Sequence, residues 1–447
     1  MKIQSSVKAA ARFGITLPAA LSCGMFACGT AQGADDLLLR NAHIVDPARR
    51  VEYIGHVLVH ADKVVDVLRE APVDFSGEMV DLSGKFLIPG LVDAHVHSEG
   101  NRGPQAERGE VFWVEETARR MLYCGVTAYL DVGLAPARIF PLRDRLRAGE
   151  LYGADVFAAG PVFLGVAHRD PRGSTLSVET PEEVRRALAG LAQSRPDIVK
   201  IIFDWARAKN SMSLPIMRSL VETARAMNLK TMVHIGTWAN ARLAAEAGAT
   251  SITHLNDTTV LPEDVAQLLA EKSIQFVPTL SVQQDFLNFL EQPSLLDNPL
   301  LHSVVSSELI TMYRDFNPGK ESDCFTCRWQ REGRKHYRLS MDRLRRAGVA
   351  ILAGSDTGNV GTFQGFSLHR ELILLNQSGL DTWDSLAAAT VRAYPLLGIK
   401  MGFERGADAT FVVLAVSPVE NIANTQSIER ILFHGRWVDR AALAPRR

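Results

Sequence analysis

The sequence predicts an α/β protein: a (β/α)8 TIM-like barrel with a small β-sandwich domain built from both chain ends. Three observations carry that expectation. Apolar runs of strand length alternate with helix-like segments eight times through the middle of the chain, the signature of βα units and a parallel sheet. Short β-type runs separated by turns fill residues 35–86 and return at 409–416 and 428–439, so the two ends are expected to share one sheet domain. The length of 447 residues exceeds the roughly 250 that one such barrel takes, which leaves material for the second unit. The expected boundaries are 34–88 with 403–447 for the β-sandwich and 89–402 for the barrel.

Composition narrows the function classes. With 47% hydrophobic and 22% charged residues, a disordered or fibrous chain is excluded. Lys+Arg 49 against Asp+Glu 50 leaves a net charge of -1 with no basic block, so nothing points to nucleic acid and a small-molecule substrate is the default. A homo-oligomer is compatible with all of this.

Along the chain, Lys2, Lys8 and Arg12 precede a largely apolar run at 13–29 and the small residues Ala31 and Gly33. Residues 1–33 therefore read as a Sec-type signal peptide, with a periplasmic or secreted mature protein. The alternative, a membrane anchor, is disfavoured by a short run broken at Pro18; Arg12 stands alone, so no twin-arginine signal is visible. No later stretch is long and apolar enough to span a bilayer, so no integral membrane segment is expected after signal removal.

The eight strands are expected at LVDAHVH (91–97), TAYLDVG (127–133), DVFAAGPV (155–162), IVKIIFD (198–204), KTMVHIG (230–236), SITHLN (251–256), IQFVPTL (274–280) and VAILAGSD (349–356). Thr180-Pro181-Glu182-Glu183 opens one intervening helix with a cap, a first-turn proline and N-terminal acids. Residues 283–346 are too long for one crossover and are expected to carry extra helices over the barrel mouth. Cys23 and Cys28 leave with the signal, Cys124 falls on an expected buried helix, and Cys324 with Cys327 reads as a local disulfide; a redox or zinc site there lacks visible partners.

Chemistry gathers at strand ends. Alternation along the first strand puts Asp93, His95 and His97 on one side, the last two nearest the C-terminal mouth where barrel active sites lie. One H-x-H pair among 12 histidines is weak by itself. Four more ligand-type residues, Lys200, His234, His254 and Asp356, fall at or near the ends of four other strands. Imidazole and carboxylate suit Zn²⁺, with manganese, cobalt or iron as alternatives. Lys200 does not fit as a cation. Burial and a nearby metal charge favour its neutral amine, which reacts with CO₂ to give an anionic carbamate able to bridge two metals; pairing with Asp204 is the other reading.

The run FLIPGLVDAHVH (86–97), with GVTAYLDVG (125–133), DIVKIIFD (197–204), His234, His254, GSDTG (354–358) and GADATFVVL (406–414), resembles the metal-dependent amidohydrolase superfamily, most closely its imidazolonepropionase-like and prolidase-like branch with a carboxylated lysine. The resemblance spans the mature chain. It implies two divalent ions, with His95, His97 and Asp356 on the more buried one, His234 and His254 on the more exposed one, and carboxylated Lys200 bridging both together with a hydroxide. It also implies Asp356 as the catalytic residue that takes a proton from the nucleophile and returns it to the leaving nitrogen. The activity implied is hydrolysis of a C–N amide bond in a dipeptide, an N-acyl amino acid or a cyclic amide. A lactonase or phosphotriesterase using the same site, a mononuclear deaminase and a binding protein with a dead site are the alternatives.

Other candidates are open on two sides. His168 and Arg169, with Asp170, follow the third strand and read as a grip on a substrate carboxylate or as a solvated loop. Asn256 and Asp257 follow the sixth-strand histidine and are expected to line the pocket. Trp205, Phe363 and Phe366 read as apolar walls or ordinary packing, and His369 and Glu371 as support for the site or plain helix surface.

Overall fold

A computed structural model describes residues 36–104, 109–110, 114–165, 170, 172–204, 212–255, 258–319 and 324–445. The expected signal peptide, with Cys23 and Cys28, lies outside them. Both chain ends enter one eight-stranded sheet. The N-terminal end supplies β1 (Asp36–Asp46), β2 (Val51–His60), β3 (Lys63–Leu68), β4 (Glu78–Asp81) and β5 (Phe86–Pro89). After β6 to β17, given below, the C-terminal end supplies β18 (Phe411–Leu414), β19 (Ile428–Phe433) and β20 (Arg436–Trp437). The order is β20-β19-β18-β5-β1-β2-β3, with β4 beside β1, and the antiparallel β5–β18 ladder is where the two ends meet. The outer strand β3 bonds back to the segment before β18, Val64 N–H to the Ala407 carbonyl at 2.9 Å and Gly406 N–H to the Val64 carbonyl at 2.8 Å. The sheet thereby rolls over a core of Leu37, Leu39, Ile44, Val57, Val59, Phe411 and Leu432.

The middle of the chain builds parallel sheets. Strand β6 (Leu91–Val96) is followed by the short pair β7 (Asn101–Arg102) and β8 (Gly109–Glu110), then β9 (Val126–Asp131), β10 (Asp155–Ala158), β11 (Val162–Leu164), β12 (Thr175–Ser177), β13 (Val199–Phe203), β14 (Thr231–Ile235), β15 (Ser251–Thr253), β16 (Gln275–Val277) and β17 (Ala350–Ile351). The orders are β10-β9-β6 and β12-β11-β13-β14-β15-β16-β17. Backbone bonds join the sets: Asp197 N–H reaches the Ala158 carbonyl at 2.9 Å, and Ala94 N–H reaches the Ala353 carbonyl at 2.9 Å. Every residue of β6 and β9 is buried, as expected of strands covered on both faces. An apolar layer of Val92, Ala94, Leu130, Ile198, Met232, Val277 and Leu352 fills the space between strands, and helices cover the outside.

Local signals hold where they are strongest. Thr180 accepts from the Glu183 N–H and the Glu183 side chain returns the bond, a capping box on the helix Pro181–Ala192. The 283–346 region carries helices, among them Leu280–Glu291, Ser307–Arg314 and Phe325–Ala347. Cys324 and Cys327 form a disulfide at the start of the last of these, while Cys124 is a buried free thiol just past the helix Val114–Tyr123. Among the described residues, no helix is long and apolar enough to cross a membrane.

Candidate metal centre

The ligand-type residues stand where parallel strands end. His95 lies in β6 with His97 just beyond it, Lys200 in β13 and His234 in β14; His254 follows β15, and Asp356 follows β17. His95 Nε2 is 3.1 Å from Lys200 Nζ and 3.5 Å from Asp356 Oδ1, and His97 Nε2 is 3.3 Å from that same oxygen. His254 Nδ1 lies 3.7 Å from Asp356 Oδ2. The His254 ring is 4.8 Å from that of His95 and 4.3 Å from that of His234, centroid to centroid. Six residues scattered from 95 to 356 thus meet at one place. One donor atom from each of His95, His254 and Asp356 lies within 4.8 Å of the others, a nitrogen and oxygen set that fits a divalent ion such as zinc.

Asp93 goes elsewhere. Plain alternation groups it with His95 and His97, but the β6–β9 register shifts between Asp93 and Val96, and the carboxylate turns to Ser355. It accepts from the Ser355 N–H at 2.9 Å, the Ser355 hydroxyl at 2.5 Å and the His95 N–H at 3.1 Å. Burial lifts its pKa to about 7 against those hydrogen bonds. The grouping of three is corrected to two histidines facing the cluster and one acid clamping β6 to residue 355.

Backbone shape explains the GSDTG turn. A Cβ at Gly354 would sit 2.5 Å from Val277 and 2.9 Å from the His95 Cβ, and one at Gly358 would sit 2.4 Å from the His97 carbonyl oxygen. Only glycine lets this turn press against the His95–His97 segment. Asp356 (φ +54°) and His254 (φ +84°) both take left-handed backbone, a conformation that costs about 1–3 kcal/mol per residue and collects at functional sites. The Asn359 amide holds Asp356 there, donating to its Oδ1 at 2.8 Å and its carbonyl at 3.0 Å.

Burial sets the charge states. Desolvation, then the Lys200 charge and the neighbouring imidazoles, drive the His95 pKa well below the histidine range. Burial lowers the Lys200 amine to about 7, with the Asp356 carboxylate opposing. A neutral imidazole and an amine that sheds its proton near neutrality both offer lone pairs.

The remaining candidates separate. His168, Arg169, Asn256, Asp257 and Trp205 lie outside the described residues. Asp170 pins its own loop, accepting from Arg172 N–H at 2.8 Å and Thr175 N–H at 2.9 Å. Phe363 packs its ring 5.1 Å from Tyr313 and 5.7 Å from Phe289, and Phe366 is buried, so both are core. His369 bonds the Thr425 hydroxyl and the Cys124 carbonyl, a structural role. Glu371 is fully buried and so is not helix surface. Sequence reading missed the two hydroxyls that touch ligand-type histidines: Thr253 Oγ1, 3.0 Å from His95 Nδ1, and Thr279 Oγ1, 2.8 Å from His254 Nδ1. Thr253 carried a signal, ending a short strand next to His254, but threonine in a strand is ordinary; Thr279, 25 positions from His254, carried none.

Known proteins agree with this architecture. An uncharacterized protein of Mycobacterium bovis is 23% identical over 358 residues, covering 79% of this chain and 85% of that one. A putative prolidase from Bifidobacterium longum superposes with a TM-score of 0.72 at 21% identity, covering 92% of this chain and 96% of that one. A Xaa-Pro dipeptidase with bound methionine superposes with a TM-score of 0.71 at 19% identity, covering 90% and 99%. At such identities the likeness is one of fold. Residues 86–438 match the amidohydrolase family, and a match over most of the chain, from the β5–β6 run through the closing sheet, means that this protein belongs to that family and hydrolyses carbon–nitrogen bonds.

Proposed function

We propose that the chain is an exported, binuclear metal-dependent amidohydrolase that cleaves the C–N amide bond of a small substrate such as a dipeptide, an N-acyl amino acid or a cyclic amide. The convergence of His95, His97, Lys200, His234, His254 and Asp356 carries this reading. In it the parallel strands close into one eight-stranded barrel, a closure favoured by the backbone bonds between β6 and the segment after β17. His95, His97 and Asp356 would hold one divalent ion, zinc by ligand type, and His234 and His254 a second. The buried Lys200 amine would take up CO₂, its nitrogen forming the new bond to carbon and one proton leaving, and the resulting carbamate would span both ions. When bound, such a pair lowers the pKa of water and polarises a carbonyl.

The chain's own groups do the rest. Asp356 Oδ1 is occupied by the Asn359 amide, so Oδ2 is the atom that receives a proton from the attacking water. The same atom returns that proton to the departing nitrogen as the C–N bond breaks, leaving a carboxylate and an amine. Export through residues 1–33 is supported by the Cys324–Cys327 disulfide, a bond that persists in oxidising compartments.

Metal analysis and a substrate screen test the proposal together. About two zinc ions per chain and hydrolysis of Xaa-Pro dipeptides, N-acyl amino acids or cyclic amides are expected. Turnover of lactones or phosphotriesters alone would overturn the amide substrate assignment, one metal per chain would favour a deaminase-type site, and none after reconstitution would defeat the metal-dependent reading.

A further inference from the structure

We infer that Thr279 and Glu371 form a positioning relay that fixes the ring tautomer of His254; the inference rests on the reading of His254 as a metal ligand. The starting point is a proton count. Thr279 Oγ1 lies 2.8 Å from His254 Nδ1 and 2.7 Å from the Pro278 carbonyl oxygen, and the hydroxyl has one hydrogen to place. Were it aimed at His254, two oxygens would face each other at 2.7 Å with nothing between them. Aimed at Pro278, it makes both contacts hydrogen bonds, provided that His254 Nδ1 carries a proton and donates it. Asp356 Oδ2 also faces Nδ1 but at 3.7 Å, beyond hydrogen-bond length, so the neutral ring keeps its lone pair on Nε2, the form in which an imidazole binds metal through that atom.

Thr279 can serve as such an anchor only where something holds it. It is β-branched with φ at +54°, an outlier for that residue type, and it is the residue before the helix Leu280–Glu291. A threonine in that position ordinarily turns its hydroxyl onto the first free N–H groups of its own helix. Here it makes no such cap. Glu371, fully buried on the helix Phe366–Gln377, takes over that role: its carboxyl accepts from the Leu280 N–H at 3.0 Å and the Ser281 N–H at 2.7 Å, with the Ser281 hydroxyl 2.9 Å away. A side chain from another helix satisfies the helix start, and the Thr279 hydroxyl is released to hold His254. Next to Glu371, Arg370 grips Asp285 of the same helix through two bonds of 3.0 and 2.8 Å, so loss of Glu371 frees the first turn without freeing the helix.

The test uses full-length protein with ¹⁵N-labelled histidine, first stripped of metal. His254 is expected as the Nδ1–H tautomer in the wild type and in Thr279→Ser. Thr279→Val, which keeps shape and loses the hydroxyl, and Glu371→Ala are expected to give a mixture of tautomers. Zinc affinity, read by chelator competition, is expected to fall about 10–100-fold in Thr279→Val and Glu371→Ala and to stay unchanged in Thr279→Ser. A Thr279→Val protein with the wild-type tautomer and wild-type zinc affinity would overturn the relay, even if Glu371→Ala fails to fold. A wild type that binds no zinc would defeat the proposed function instead, and the tautomer comparison would still decide whether the relay exists.

Discussion

The strand-end cluster and the layer behind it use the same residue types in opposite ways. In the cluster, His95 and Lys200, two nitrogen bases, stand 3.1 Å apart with both pKa values pushed down, and Asp356 is shared among three imidazoles. Behind it, each buried acid is answered: Asp93 by the Ser355 and His95 N–H groups, Glu371 by Leu280 and Ser281, Asp285 by Arg370. Folding by itself favours the second arrangement, because buried polar groups are costly unless paired. The contrast marks the cluster as a place where stability is given up for chemistry, and it predicts that substitutions in the two layers act on different observables.

The largest effect should come from the cluster. Asp356→Asn removes the proposed proton acceptor at Oδ2 and is expected to cut turnover on the order of 10²–10⁴-fold while the circular dichroism spectrum and melting temperature hold. A fully active Asn variant would erase the distinction between the layers. In the backing layer, Asp285→Ala leaves the buried Arg370 guanidinium uncompensated and should cost about 3–5 kcal/mol of unfolding free energy, measured by urea denaturation. A loss under 1 kcal/mol would show that this ion pair is not structural. Lys200→Met sharpens the contrast from the other side. It replaces a buried, desolvated amine by an apolar chain of similar length, so the metal-free protein should gain about 0.5–2 kcal/mol of stability while catalysis is lost. Destabilisation of the metal-free chain would contradict the idea that the cluster is strained without metal.

The two layers also differ in how far the sequence revealed them. The cluster was legible because ligand-type residues fall at or near predicted strand ends: His95, His97, Lys200, His234, His254 and Asp356 stood out together by residue type and placement, and the family resemblance joined them into one ligand set. Asp93 was misplaced because a register shift within β6 breaks the period on which its grouping relied. The backing layer was nearly invisible. Glu371 meets Leu280 across 91 positions of sequence, and Arg370 meets Asp285 across 85, contacts that only the packing of two helices creates. The shared sheet of the chain ends was readable from texture, whereas its rolling through the Val64–Ala407 bond was not, because no residue pattern encodes which edge meets which loop.

An ion pair at the edge of the seam between the end sheet and the parallel strands lies at the far end of this gradient, partly exposed where the rest of the seam is buried, and should show the smallest effect. His434, in the turn between β19 and β20, bonds Asp155 at the start of β10 at 2.9 Å, with 43% of the histidine side chain exposed. Burial opposes the charged ring, but the Asp155 hydrogen bond and the charges of Asp155, Asp408 and Asp62 outweigh it, so its pKa is raised. A raised folded-state pKa means that the protonated ring stabilises the fold: the contribution is complete below the unfolded value of about 6.5 and disappears as pH climbs through the folded value. Solvent screening limits it to about 0.2–1 kcal/mol. His434→Ala should therefore lower stability by that amount at pH 5.5 and hardly at all at pH 9, with the acid-side loss shrinking in high salt. Equal losses at both pH values would mean that His434 joins the two parts by packing rather than by charge, and that the pairing rule of the buried layer does not extend to this surface.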